Sequence, residues 1–482
     1  MLILIPIVVY LFGMLFIAYK VNGIKNNSNV NFMEEYFIGS RNMGGFVLAM
    51  TVVTTYIGAS SFIGGPGVAY KMGLGWVLLA CIQTPTAFLT LGILGKKLAI
   101  ISRQIGGVTI TDFLRARYKS DVVVILASTL MLIFFIGSVV VQFVGGARLF
   151  ESVTGLSYLT GLIIFSIVVI GYTTFGGFRA VVITDAIQGI VMLVAMSVLF
   201  IVLLKKGNGM ENIMRTIEVS NPQFLSPDSG GAIGKSFILS FWMLVGVAVL
   251  GLPATTVRCM GFKDTKSMHN AMILGTSVVG VLMIGMHLIG VMGVALQPNV
   301  DIGDKIIPIL AMGHLHPILA GLFIAGPLAA IMSTVDSFLI LSSAAIIKDL
   351  YINYINPHPE EAKIKKISLF TSLIIGIIVF VLALNPPDLL VWINLFALAG
   401  QEAAFFCPII FGLYWKGANA TGAISSMLFG VIIYIYFMTF KVNILGLHQI
   451  VPVIGLTILV FIVGSLLGKK SDETTIKQFF NY

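Results

Sequence analysis

Long apolar blocks joined by short polar seams make up nearly the whole chain. The blocks do not alternate like half-buried strands, and they carry no polar stripe at every third or fourth position. They are apolar all round for about 20 residues, the length an α-helix needs to cross roughly 30 Å of hydrocarbon. They run at 2–20, 44–70, 75–95, 121–147, 158–177, 180–204, 236–257, 270–296, 314–345, 367–385, 389–413, 419–440 and 450–468. Backbone at bilayer depth must satisfy its own hydrogen bonds, so the pattern predicts an all-α membrane protein of about 13 transmembrane helices. The first block has no basic stretch before it and no small-residue cleavage site after it, and reads as a retained helix.

Two blocks contain residues that helices tolerate poorly. The second holds Gly58, Gly64, Gly65, Pro66 and Gly67, with Ser60 and Ser61 among them; the seventh holds Gly246, Gly251 and Pro253. Inside a helix Gly costs about 1 kcal/mol and Pro about 3 kcal/mol relative to Ala, so both blocks are expected to break. Five blocks separate the starts of the two. An odd number inserts the halves with opposite topology, the plan of inverted-repeat transporters, whose sites lie at paired broken helices. The expected organisation is a peripheral first helix and cytoplasmic loop (1–43), a first repeat (44–204), an extracytoplasmic loop (205–235), a second repeat (236–413), and two peripheral spans with a tail (414–482). The loop is expected to lie on the surface with at most a short helix, residues 348–366 to be a linker, and the tail after Lys470 to be frayed.

Composition agrees with the membrane class: 58% of residues are hydrophobic, 10% are charged, and mean hydropathy is +1.02. Ordinary soluble domains carry about 25% charge. The net charge of +9 therefore reads as basic loops beside anionic lipid rather than as a nucleic-acid surface. With the N-terminus outside, 21 Lys and Arg fall on the cytoplasmic side and 8 on the other, which places the C-terminus in the cytoplasm. Cys81, Cys259 and Cys407 are too scattered for a disulfide or metal framework. No HExxH, GxSxG or phosphate-loop motif suggests an enzyme, and nothing resembles the repeated filter of a channel.

Candidate chemistry gathers at the first break and near residue 333. Ala330, Ser333 and Thr334 stand at i, i+3 and i+4, on one helix face. Carbonyls freed by the break, set opposite those hydroxyls, would make a neutral oxygen cage for a small hard cation. The other reading has Ser333 and Thr334 bonding carbonyls of their own preceding turn and the glycines serving close helix packing. Asp185, one turn before Gln188, is costly in a span and so functional by default, unless it pairs at the interface with Arg179. Asp336 and Glu402 are further intramembrane acids that either line a cavity or are neutralised by neighbours. Arg148 reads as a snorkelling arginine at a span end. The six histidines show no metal spacing, and His314 and His316 flank a loop.

The run from Tyr172 to Ala180, with Gly176, Gly177 and Phe178 within it, resembles a motif of the sodium:solute symporter family, and Met332-Ser333-Thr334 resembles that family's sodium site. The stretches 35–45, 59–67, 141–148 and 346–351 look like the branch of the family that carries pantothenate. The resemblance spans nearly the whole chain. It implies a leucine-transporter-like 5+5 inverted-repeat core in a bacterial inner membrane, with Na+ as coupling ion. By the same resemblance Thr54, Ile57 and Ala330 would offer carbonyls to sodium, Ser333 and Thr334 hydroxyls, and Asp185 would lie on the ion's cytoplasmic route. Pantothenate presents a carboxylate, two hydroxyls, an amide and a gem-dimethyl group, which suits contacts from Tyr56, Ser60, Ser61, Gln83, Gln142 and Trp242. Some relatives, the proline carriers among them, have an acid where this chain has Tyr56, a departure that suits an anionic substrate. Another small carboxylate, or an amino acid such as proline, is the alternative substrate.

Overall fold

A computed structural model of the protein describes residues 2–23, 34, 38–174, 178–386 and 389–480. The motif at 172–180, Arg179 included, lies outside the described side chains, as do residues 35–37.

In chain order the helices are α1 (Leu4–Gly23), α2 (Gly45–Tyr56), α3 (Ser60–Met72), α4 (Leu74–Ile105), α5 (Ile110–Tyr118), α6 (Asp121–Thr154), α7 (Tyr158–Thr174), α8 (Phe178–Lys206), α9 (Met210–Ser220) and α10 (Lys235–Gly251). They continue as α11 (Pro253–Arg258), α12 (Thr265–Leu296), α13 (Ile306–His314), α14 (Pro317–Ile352), α15 (Glu361–Leu382), α16 (Leu390–Tyr414), α17 (Ala420–Thr439), α18 (Ile450–Leu467) and α19 (Glu473–Phe480). Polar caps set several starts. Asp264 accepts from the Ser267 amide at 2.7 Å before α12, Asn419 from Gly422 at 3.1 Å before α17, and Thr109 and Asp112 form a reciprocal capping box on α5. These side chains occupy donors that the helix itself leaves unmade.

The expectation of about thirteen long spans needs correction. Among the described residues nine helices are long and apolar enough to cross a membrane, or ten if the bent pair α2–α3 is one span. Three further expected spans appear among the described residues as shorter apolar helices, at Leu4–Ile17, Tyr158–Ile170 and Lys235–Gly251, the first two ending where the described side chains end. For the last the reason is local: the helix tightens over Ala248–Gly251 and Leu252 turns extended ahead of Pro253, whose ring denies a preceding carbonyl its donor.

α14 is the central column: 83% of its most apolar window is buried, against 33% for α18. Because lipid tails are as apolar as leucine, close packing rather than the hydrophobic effect selects such a centre. α14 packs on α8, α6 and α1, while α12 cradles both α2 and α3.

Three other expectations change. α14 runs on as a wide π turn from Ala345 to Ile352, so the linker to α15 is shorter than 348–366. The described part of the tail, to Phe480, is not frayed: α19 docks on α5, with Phe479 buried against Phe113 and Asp472 paired to Lys119 at 2.7 Å. Arg117 and Arg258, two of the 21 Lys and Arg expected on the cytoplasmic side, are buried; setting them aside does not reverse the charge asymmetry. Arg148 does not snorkel. It forms a buried ion pair with Asp304, whose carboxylate also accepts from the Leu390 amide at 3.0 Å, tying α6 to the approach to α13 and the start of α16.

Candidate functional site

The break in the second block falls at Ile57, where the backbone turns extended, and α2 and α3 meet at 69°. Gln142 on α6 holds the unwound segment, its Oε1 accepting from the Ala59 amide at 2.8 Å. Gly58 is required here: a Cβ would lie 2.8 Å from both Gln142 Oε1 and Thr334 Oγ1.

Five oxygens converge on this break. Ser333 Oγ stands 3.1 Å from the Thr54 carbonyl and 3.1 Å from that of Ala330. Thr334 Oγ1 stands 3.3 Å from Thr54 O, 3.5 Å from Ile57 O and 2.9 Å from Ala330 O. A cation bound by oxygen at about 2.3–2.6 Å sets adjacent ligands roughly 3.3–3.7 Å apart, so the observed spacings need only a slight expansion to fit one. Turning each hydroxyl proton outward converts the hydrogen bonds into inward-facing lone pairs. All five oxygens are neutral. Both sequence readings hold part of this geometry, since each hydroxyl also bonds back to Ala330.

Beyond the five oxygens a buried polar strip runs along α2. Asp185 on α8 accepts from Thr51 Oγ1 at 2.6 Å; Thr55 Oγ1 donates to the Thr51 carbonyl at 2.6 Å and lies 3.3 Å from Ser337 Oγ. Arg258 donates to Ser337 Oγ at 2.6 Å and to the Ala254 carbonyl at 2.9 Å. Asp185 is wholly buried, and the charge within its electrostatic reach is the Arg258 guanidinium. Asp336, also wholly buried, sits one turn beyond Ser333 within reach of Tyr10 on α1. Glu402 is buried behind the wall of α16, near Tyr56 and Tyr434, and among the described residues neither of its oxygens has a hydrogen-bond partner.

Next to the cage lies a cavity of about 770 Å³ of non-atom space, its mouth included. Its wall takes in both breaks, through Gly58, Ser60 and Ser61 on one side and Leu252, Ala254 and Thr255 on the other. Tyr56, Ser60, Ser61, Gln83 and Gln142 all line it, with Tyr56 donating to Gln83 Oε1 at 2.9 Å. Trp242 does not; the residue, on α10, is 55% exposed. The cavity's indole is Trp76, held edge-on against Phe241 and Trp392 at 5.6 and 5.8 Å between ring centroids. Gln401 and His287 also line it and were not singled out from sequence. Among the described residues no Lys or Arg side chain lines it. Thr334 belongs to both cavity wall and cage, so one side chain connects the two.

Comparison with known proteins agrees with this geometry. Residues 36–430 match the sodium:solute symporter family. The chain is 46% identical over 477 residues to the sodium/pantothenate symporter of Escherichia coli, covering 98% of each, and 46% identical over 481 residues to that of Haemophilus influenzae, again covering 98% of each. It is 30% identical over 484 residues to a sodium/proline symporter of Staphylococcus aureus, covering 97% of this chain and 93% of that one. In fold it resembles a Na+-coupled sialic acid symporter in a substrate-bound outward-open state, with TM-score 0.80, 18% identity and 98% of both chains covered. It also resembles, more distantly, a nucleobase-cation-symport-1 family transporter, with TM-score 0.55, 15% identity, and 94% of this chain and 99% of that one covered. The packing is accordingly that of an all-α, multi-pass membrane protein of the inverted-repeat kind. The chain belongs to the sodium:solute symporter family and is a sodium-coupled secondary transporter, not an enzyme.

Proposed function

We propose that the protein imports pantothenate with sodium across the bacterial inner membrane by alternating access. The observation that carries this reading is the meeting of five neutral oxygens at the α2–α3 break, beside a cavity lined by amide, hydroxyl and aromatic groups. Two relatives named for pantothenate at 46% identity support that substrate over proline, for which the named relatives stand near 30%.

In this reading the carbonyls of Thr54, Ile57 and Ala330 and the hydroxyls of Ser333 and Thr334 hold the sodium ion that is carried. Neutral ligands bind a monovalent cation loosely enough to release it. Tyr56, Ser60, Ser61, Gln83 and Gln142 contact the substrate. Its carboxylate sits against the N-terminal turn of α3, where the helix dipole offers about half a positive charge. Asp185 lies on the ion's way to the cytoplasm, along the strip toward Arg258. Residues 44–204 and 236–413 form the two repeats, the N-terminus faces out and the C-terminus faces the cytoplasm. The test is uptake of labelled pantothenate into proteoliposomes under an inward sodium gradient, with proline and other small carboxylates as competitors. Uptake that ignores the gradient, or that proline abolishes at equimolar concentration, refutes the reading.

A further inference from the structure

His287 stands on α12, 2% exposed, with its ring on the cavity wall. Its Nδ1 lies 2.6 Å from the Met283 carbonyl one turn back. A carbonyl only accepts, so Nδ1 carries the proton and Nε2 presents a lone pair. Nε2 has no hydrogen-bond partner among the described residues and faces Gly65 on α3. The two are a matched pair: a Cβ on Gly65 would come within 2.1 Å of Nε2, so only glycine leaves the ring its place. Both residues line the cavity, and among the described residues no other imidazole does.

A lone acceptor fixed in orientation by its own helix is suited to receive one hydrogen bond from a bound molecule. Its location narrows what that donor is. Gly65 lies beyond the wide π turn Ser60–Gly64, which begins at the end assigned above to the substrate carboxylate. A molecule with its carboxylate at the break would reach His287 with its opposite end. In pantothenate that end carries the two hydroxyls. A neutral imidazole also offers an anion no counter-charge, so its contribution is to select for a donor.

We propose that His287 is a specificity-determining residue whose Nε2 accepts a hydrogen bond from a hydroxyl at the end of the substrate remote from its carboxylate. This rests on the pantothenate reading. The probe is a pair of compounds sharing one carbon skeleton, pantothenate and N-(3,3-dimethylbutanoyl)-β-alanine, which lacks both hydroxyls. Inhibition of sodium-driven uptake by each is measured in full-length protein in proteoliposomes, for the wild type, His287→Leu and His287→Gln. A lost neutral hydrogen bond predicts a 3- to 10-fold loss of pantothenate affinity in His287→Leu. The dihydroxyl-free compound should bind the variant no worse than the wild type, and the sodium concentration for half-maximal uptake should not move. His287→Gln, which keeps an acceptor, should restore part of the preference and serves alone if the leucine variant does not fold. Parallel loss of affinity for both compounds would show a packing role and overturn the proposal, as would an unchanged preference. Absence of sodium-driven pantothenate uptake in the wild type would instead bring down the substrate reading, and this proposal with it.

Discussion

Removing Ser333 Oγ and Thr334 Oγ1 tests the cage most directly. Ser333→Ala and Thr334→Ala each delete one of the five converging oxygens and leave the backbone carbonyls in place. A hydrogen bond to a charged group is worth about 1.5–3 kcal/mol net, and a neutral oxygen facing a buried cation is comparable. At about 1.4 kcal/mol per tenfold, each single variant should raise the sodium concentration for half-maximal uptake at least about tenfold. The two hydroxyls share the Thr54 and Ala330 carbonyls as neighbours, so their effects should couple rather than add. Ser342→Ala is the control. Ser342 is buried two turns further along α14, donates to the Phe338 carbonyl at 2.7 Å and takes no part in the cage. The assay is initial uptake rate in proteoliposomes titrated with sodium at saturating substrate. A Ser333→Ala/Thr334→Ala double variant that keeps wild-type sodium dependence would refute the assignment. A Ser342→Ala variant that shifts as much as the singles would show that the effect is structural.

Asp185→Asn should slow turnover far more than it weakens sodium-stimulated substrate binding; normal uptake would remove Asp185 from the ion's route. Arg148→Ala or Asp304→Ala alone should destabilise the protein by about 3–5 kcal/mol, because each leaves a buried charge without its partner; a thermal-unfolding midpoint in detergent within one degree of wild type would contradict this. One sodium carried with one pantothenate anion moves no net charge, and among the described residues only one complete neutral cage is found at the break. Valinomycin-induced negative potential in potassium-loaded vesicles should therefore leave accumulation unchanged. A second sodium would raise it about fifty-fold per 100 mV, since each charge gains ~2.3 kcal/mol.

The parts of the site that were legible in the sequence are those written in local chemistry. Gly and Pro mark where a helix must yield, and the i, i+3, i+4 spacing of Ala330, Ser333 and Thr334 fixes a common face before any fold is known. Contacts across great sequence distance were not legible. Arg148 and Asp304 are 156 positions apart, and a run-end arginine looks the same in sequence whether it snorkels or pairs. Arg258 follows an apolar block and so resembles a loop charge; only the fold shows it packed beside Ser337. His287 carries no motif, and its meaning depends on a missing side chain at Gly65 on another helix. Trp242 and Trp76 were equivalent by composition, and the turn of each helix decides which indole faces the cavity. The seventh block fell short of a long span because an apolar run reports hydrophobicity, not unbroken helix length, which Leu252 and Pro253 interrupt.

Three of the five oxygens at the break are main-chain carbonyls, and that fact governs how such a site drifts over generations. Substitution at Thr54, Ile57 or Ala330 replaces a side chain but leaves the peptide oxygen where it was. A mutational screen for altered cation dependence therefore addresses only Ser333 and Thr334 directly. At the other three positions selection acts on chain trajectory, through Gly58, where a side chain would collide with Gln142 and Thr334, and through Gln142, which grips the Ala59 amide. Descendants can therefore diverge widely in the letters around the break and still inherit the same cage.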